Sequence, residues 1–221
     1  KPALWASLSQ DRDNYLHFLK TAMLAEAKVG NAVFIGRGAG AIFKNIPGVL
    51  SVFLVAPLAI RVERVKSYFH CDEKKAKRII ERSDNDRGGF YQYFFDMDWK
   101  APENYFLILN MGYTHPLVCA EMIKRLADYY ITEETQSLHD ARIKEAILSQ
   151  EIKHFILYEK EVPVHFLETV VSGDKILLYG VVNSQALIDA AISAAIEKAR
   201  QYDSLSVISE IQVVQEYSIV P

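Results

Sequence analysis

Two apolar runs, Leu50–Ala56 and Tyr105–Asn110, limit what this chain can fold into. Each is too short for an ordinary helix and too uniformly apolar to leave one face in water, which suits strands covered by helices on both sides. Pro57 then opens a helical pattern through about Phe69, and Pro116 opens another to about Tyr130. Proline fits a first helical turn because the N–H it lacks would have no partner there. A further helix is expected from about Asp72 to Arg82. Upstream, Asp11 or Asp13 can cap a helix running to Lys28, with Tyr15, Phe18, Leu19, Ala22, Met23 and Glu26 at helical spacing and Gly30 at its end. A strand is expected at Ala32–Ile35, and Asn45-Ile46-Pro47-Gly48 reads as a turn. Strands alternating with helices argue an α/β fold with a parallel, three-layer sheet.

The second half has a different pattern. A helix over Leu138–Lys153 is followed by β-runs at Val162–Val171 and Lys175–Val182, joined through Ser172-Gly173-Asp174 as a hairpin. Ser184 caps a helix with Ile188, Ile192, Ala195, Ile196 and Ala199 on one side, and Val207–Val213 alternates as a half-exposed strand. The order helix–strand–strand–helix–strand makes a small α+β domain. The polar stretch Thr132–Ser137 marks the joint, giving domains over 1–134 and 138–221 with no internal repeat.

Chemistry concentrates in the first half. Gly36-Arg37-Gly38-Ala39-Gly40 directly follows the expected strand at Ala32–Ile35. Glycines let backbone approach an anion, and a guanidinium offers a planar fork of donors. Arg61, Arg64, Arg82 and Arg87 follow, interleaved with Asp84 and Asp86, and together suggest a site for a phosphorylated small molecule. The net charge of −3 hides an asymmetry that agrees: Arg61–Arg87 holds nine Lys/Arg against six Asp/Glu, whereas Leu138–Pro221 holds seven against twelve. Neither stretch is basic enough for a nucleic-acid surface, and the acidic second half would repel anionic lipid. No apolar run reaches the roughly 18 residues of a membrane span. Cys71 and Cys119, far apart and outside any motif, point to a reducing, cytoplasmic compartment. The six histidines are scattered with no metal-ligand spacing. The bland alternatives are a salt-bridging strand-end residue at Arg37, solvated helix charges at Arg61, Arg64 and Arg82, and turn residues at Asp84 and Asp86. Trp99 reads as a packing anchor, and the aromatic run Phe90–Phe95 as core or interface.

These residues carry a resemblance. Gly36-Arg37-Gly38-Ala39, Val52–Pro57 with Arg61 and Arg64, Asp84-Asn85-Asp86-Arg87, Asp98-Trp99 and Tyr105–Asn110 fall in the order found in the cytidylate kinase-like family, over roughly Arg12 to Tyr130. The resemblance implies a P-loop kinase-like fold and transfer of a nucleotide γ-phosphoryl group to a nucleoside monophosphate such as CMP, with ATP and Mg²⁺ as donor. It further implies that Gly36, Arg37 and Gly38 grip the acceptor phosphate and that Asp84 lies near the acceptor's sugar or base. Arg87 falls on phosphates, and Arg61 and Arg64 reach the donor. Gly38 stands where better-known cytidylate kinases carry an Asp. The sequence also has no Gly-x-x-x-x-Gly-Lys-[Ser/Thr] loop, which the family places on an earlier, central strand. Because the first residue is Lys1, the expectation is a truncated piece of a longer enzyme; a relative that has lost its donor site is the alternative. In either case a neighbouring strand, a partner chain or a rearranged helix is expected to complete the sheet. Residues 138–216 resemble a BON domain through Ser172-Gly173-Asp174 and Tyr179–Val182, which implies a binding module. The function expected is the acceptor-binding part of a nucleoside-monophosphate kinase-like protein, inactive alone. The competing readings are a non-catalytic nucleotide sensor or a structural module, with room for a homo-oligomer.

Overall fold

The computed structural model describes residues 2–200, 202 and 205–214, with side chains from residue 11 onward. It divides into two compact units, one of residues 1–32 with 140–221 and one of residues 33–139. This differs from the grouping read by chain order, in which residues 1–134 stand together: the N-terminal helix packs with the second half. The tail at 215–221 lies outside the described residues.

The 33–139 unit holds a short helix α2 (Ala39–Ile42), strand β1 (Val52–Val55), helices α3 (Leu58–Phe69) and α4 (Glu73–Phe95), strand β2 (Leu107–Asn110) and helix α5 (Pro116–Tyr130). β1 and β2 pair in parallel, Val52 opposite Leu107 through Val55 opposite Asn110. The parallel order is as expected, but the sheet has two strands, not three. Ala32–Ile35 is not a strand; Val33 and Ile35 are 88% and 91% exposed, and no described strand lies beside them. Strand-forming side chains do not hold a strand without a ladder to join. The faces of the pair are also only partly covered, since Leu109 is buried while Leu54 and Ile108 are exposed.

Local signals fix the helix ends. Pro57 precedes α3, which stops at His70 in the left-handed region (φ 49°). Asp72 caps α4 by accepting the Lys75 N–H at 2.7 Å. α4 runs thirteen residues beyond its expected end, to a left-handed Asp96 (φ 50°) whose carboxylate accepts from Gln92. The aromatic run at 90–95 is therefore helical. Val62, Ala76 and Ile80 close the contact between α3 and α4.

In the other unit, α1 (Pro2–Val29) begins earlier than expected and ends at Gly30 (φ 83°). Most of helix α6 (Glu133–His154) belongs to this unit, and it ends in a π-helical turn, Phe155–Glu159. Strands β3 (His165–Ser172) and β4 (Lys175–Val182) form the expected antiparallel hairpin, with Gly173 at φ 58°. Helix α7 (Gln185–Ala199) leads to β5 (Ser206–Val213), which pairs in parallel with β4. Ile152, Ile156, Leu167, Ile176, Leu178, Val182 and Ala195 form a core that is nearly free of water. Gly180 is fixed by that packing, because an added Cβ would lie 2.6 Å from a Val164 methyl and 3.1 Å from the His165 carbonyl. Gly180→Ala is expected to destabilise this unit by about 2 kcal/mol, measured as a lower denaturant midpoint at unchanged slope.

Candidate anion site

Two arginines of the 33–139 unit, Arg61 and Arg87, share one carboxylate. Arg61 projects from α3 and meets Asp84 of α4 in a bidentate pair, Nη1 to Oδ2 at 2.8 Å and Nη2 to Oδ1 at 2.7 Å. Arg87, one turn further along α4, approaches the same Oδ1 at 3.4 Å. Hydrogen bonding from Arg61, with the charges of Arg61, Arg87 and Lys100, holds the Asp84 carboxyl below the usual carboxylate range. The Arg61 guanidinium is raised in turn, first by its bonds to Asp84. This pair is partly exposed, so it contributes about 1 kcal/mol of stability. That contribution is full above Asp84's unfolded pKa near 3.8 and is lost as pH falls below it.

Arg61 spends both terminal nitrogens on Asp84, and Arg64 donates to the Met111 carbonyl at 2.8 Å, just past β2. Arg82 lies 3.8 Å from Asp86. Arg87 is held less tightly and its side chain is 45% exposed, leaving donors open to solvent. Its guanidinium carbon sits 4.6 Å from the centre of the Trp99 ring. Trp99 is buried; its carbonyl accepts from the Tyr105 hydroxyl and its ring meets Phe53 edge-on, while Tyr105 stacks on Phe53. Burial pushes the Tyr105 hydroxyl up to about 12.

The glycine turn packs on the same helix. Gly36, Arg37 and Gly38 are consecutive left-handed residues, with φ 73°, 54° and 74°. Their two glycines have different reasons. Gly36 faces open space, whereas a Cβ on Gly38 would lie 2.4 Å from the Phe95 ring and 3.2 Å from that of Phe90. Phe90 is three residues beyond Arg87, so the turn leans on the helix face that also presents Arg87. Arg37 itself is exposed and has no ion-pair or hydrogen-bond partner among the described residues. The salt bridge allowed by its sequence position does not form among the described residues.

Sequence reasoning missed Lys100, whose ammonium lies 5.4 Å from the Trp99 ring centre, and gave Trp99 no part in holding a cation. Both follow the end of α4 by a few residues, where sequence offers only a charged turn. Three cations, Arg61, Arg87 and Lys100, act on Asp84, while the exposed Asp98 accepts the Lys100 N–H at 2.9 Å. Among the described residues, no group of three or more His, Cys, Asp or Glu converges as a metal site. No described helix is long and apolar enough to cross a membrane.

Comparison with curated proteins finds no match. Among solved structures, the chain is similar to the crystal structure of an uncharacterized protein from Eubacterium ventriosum, with 21% identity and a TM-score of 0.45. That similarity covers 51% of this chain and 62% of the other, so the chain spans less than two thirds of its length. Residues 5–113, which include the glycine turn, Asp84, Arg87 and Trp99, match the model of the cytidylate kinase-like family.

Proposed function

We propose that the 33–139 unit binds the phosphate of a nucleoside monophosphate such as CMP and forms the acceptor half of a cytidylate kinase-like phosphotransferase. The observation that carries this reading is the Arg61–Asp84–Arg87 assembly on the helix against which the Gly36–Gly38 turn packs. Asp84 ties down Arg61 and steadies Arg87, so Arg87 and the unpaired Arg37 are the groups left to grip phosphate oxygens. Guanidinium forks fix the orientation of an acceptor phosphate and offset the repulsion it would feel from a second phosphate, which is most of what phosphoryl transfer asks of a protein.

The residues present do not make a holder for ATP and Mg²⁺. The chain has no Gly-x-x-x-x-Gly-Lys-[Ser/Thr] loop, and the described residues bring no acidic cluster together. No transfer step is assigned to it; the donor site belongs to a segment or partner that supplies such a loop. The helix–strand–strand–helix–strand order of the second half supports a BON-like binding module there, and the free cysteines Cys71 and Cys119 fit a cytoplasmic setting.

Calorimetric titration of the 221-residue chain tests the reading. CMP is expected to bind, ATP with Mg²⁺ is not, and Arg37→Ala is expected to weaken CMP at least tenfold. A wild-type chain that binds no CMP, or an Arg37→Ala variant that binds it equally well, overturns the proposal.

A further inference from the structure

In the unit of residues 1–32 and 140–221, helices α1 and α6 wall a cavity of about 550 Å³. Small-molecule sites span roughly 300–1,000 Å³, so this one has the room for a ligand. Phe18, Leu24 and Ala25 line it from α1, and Ile147, Gln150 and His154 from α6. Both sets recur at helical spacing, so each is one face of its helix. The walls are largely apolar, and Phe18, 52% exposed, leaves a ring at the rim. Charge does not single out an ion, because Lys28 and Lys198 on the lining are matched by Glu151 and Glu159.

The polar groups of the cavity are set by His17. Gln150 Oε1 lies 2.9 Å from its Nδ1, and His154 Nδ1 lies 3.3 Å from its Nε2. Burial, chiefly, keeps His17 neutral near pH 7, so it donates from Nδ1 and accepts at Nε2. That arrangement engages one end of each neighbour and frees the other. Gln150 is only 8% exposed, yet its Nε2 donors meet no partner among the described residues. In contrast to the sealed Thr169 Oγ1, this nitrogen still reaches accessible surface. A nearly buried amide without an acceptor costs stability until one is supplied. His154, having given its Nδ1–H to His17, keeps an acceptor lone pair at Nε2, to which no described residue donates. The open donor and the open acceptor stand one turn apart on α6 and are tied to the same imidazole, which makes them neighbours.

We infer that this cavity binds an uncharged, planar heterocycle by its lactam edge, the ring carbonyl accepting from Gln150 Nε2 and the ring N–H donating to His154 Nε2. An adjacent acceptor and donor on the ligand complement the donor and acceptor that Gln150 and His154 leave open. Phe18 and His154, edge-on with ring centres 6.3 Å apart, supply aromatic surface, and Leu24 and Ile147 cover the apolar part of the ring. A site whose own polar groups are completed in this way rejects a ring nitrogen that carries no hydrogen. The inference lies in the other unit from the acceptor site and needs no phosphate, so neither reading depends on the other.

Calorimetric titration of the full chain with uridine and inosine, which carry a lactam edge on a small and a large ring, tests this. Their ring-N-methylated forms, 3-methyluridine and 1-methylinosine, keep the carbonyl and lose the donor. At least one of the two nucleosides is expected to bind, about tenfold or more tightly than its methylated form. Ala25→Phe puts a ring into the cavity from an exposed position on α1, so it folds, and it is expected to abolish binding. His154→Asn keeps a donor in the place of Nδ1 and removes the Nε2 acceptor. It is expected to weaken the preferred nucleoside about tenfold and leave the methylated form unchanged, with a thermal melt to verify its fold. Three results overturn the inference. Wild type binds neither nucleoside in the millimolar range, or binds the methylated forms equally well, or Ala25→Phe binds as wild type does. An equal loss for both forms in His154→Asn also overturns it, because His154 then only shapes the cavity.

Discussion

Gly38→Val is expected to destabilise the 33–139 unit by about 3–4 kcal/mol and to abolish measurable CMP binding. Two costs add. Gly38 sits at φ 74°, where an L side chain is strained and a β-branched one more so. Its Cβ would also meet the Phe95 ring at 2.4 Å, and that ring is crowded by Phe90, Tyr91 and Phe94. The turn can escape only by leaving α4, which carries Arg37 away from the face that presents Arg87. Gly36→Ala is the control: its φ of 73° imposes the conformational cost, but nothing lies within 4 Å of the new Cβ, so about 1 kcal/mol is expected. Denaturant unfolding and a CMP titration on both variants check the contrast. Equal losses at the two glycines would mean that the contact with Phe95 does not fix the turn.

His17→Ala is expected to destabilise the other unit by about 2–4 kcal/mol. His17 is 2% exposed on α1, with Nδ1 2.9 Å from the Gln150 side-chain oxygen and Nε2 3.3 Å from Nδ1 of His154, both on α6. These contacts are satisfied together when neutral His17 donates from Nδ1 to Gln150 and accepts at Nε2 from His154. The ring also stacks with His154 and Tyr158 at centroid distances of 5.5 Å. Removing it leaves a cavity and two polar partners, the buried Gln150 and the partly buried His154, without their bonds. Burial, chiefly, pulls the His17 pKa below its ordinary value near 6.5. Gln150 opposes this by hydrogen bonding, Lys153 and His154 add to it, and Glu168 of β3 works against it. The unfolded chain therefore takes up the proton first. Stability from this group is full above pH 6.5 and is lost as pH falls from there toward the depressed native value. Unfolding followed from pH 8 to pH 5 should show that loss in wild type and a shallower one in His17→Gln. Parallel curves would remove His17 from the explanation.

Much of the fold could be read where the controlling chemistry is local. Pro57, Pro116 and Asp72 fix helix starts through their own backbone or side chain, and Gly173 fixes the hairpin. The Ala32–Ile35 run misleads because its β-propensity is genuine but a strand is a property of a pair. The length of α4 was hidden by Gly88 and Gly89, which interrupt its pattern and are carried by the helix on either side. The placement of α1 was illegible for another reason. A lone histidine on an amphipathic helix does not announce Gln150, more than a hundred positions away. The site divides in the same way. Arg37, Asp84 and Arg87 stand out by motif, whereas Lys100 and Trp99 acquire meaning only when the segment after α4 folds back beside Arg87.

Backbone amide shifts recorded while CMP is added to the ¹⁵N-labelled chain test the central claim most directly. The expected result is a saturable set of changes at Gly36–Gly38, Asp84–Arg87 and Trp99–Lys100, absent from the same titration of Arg37→Ala. Changes confined to the unit of residues 1–32 and 140–221, or none at CMP concentrations in the millimolar range, would contradict an acceptor-phosphate site in this chain.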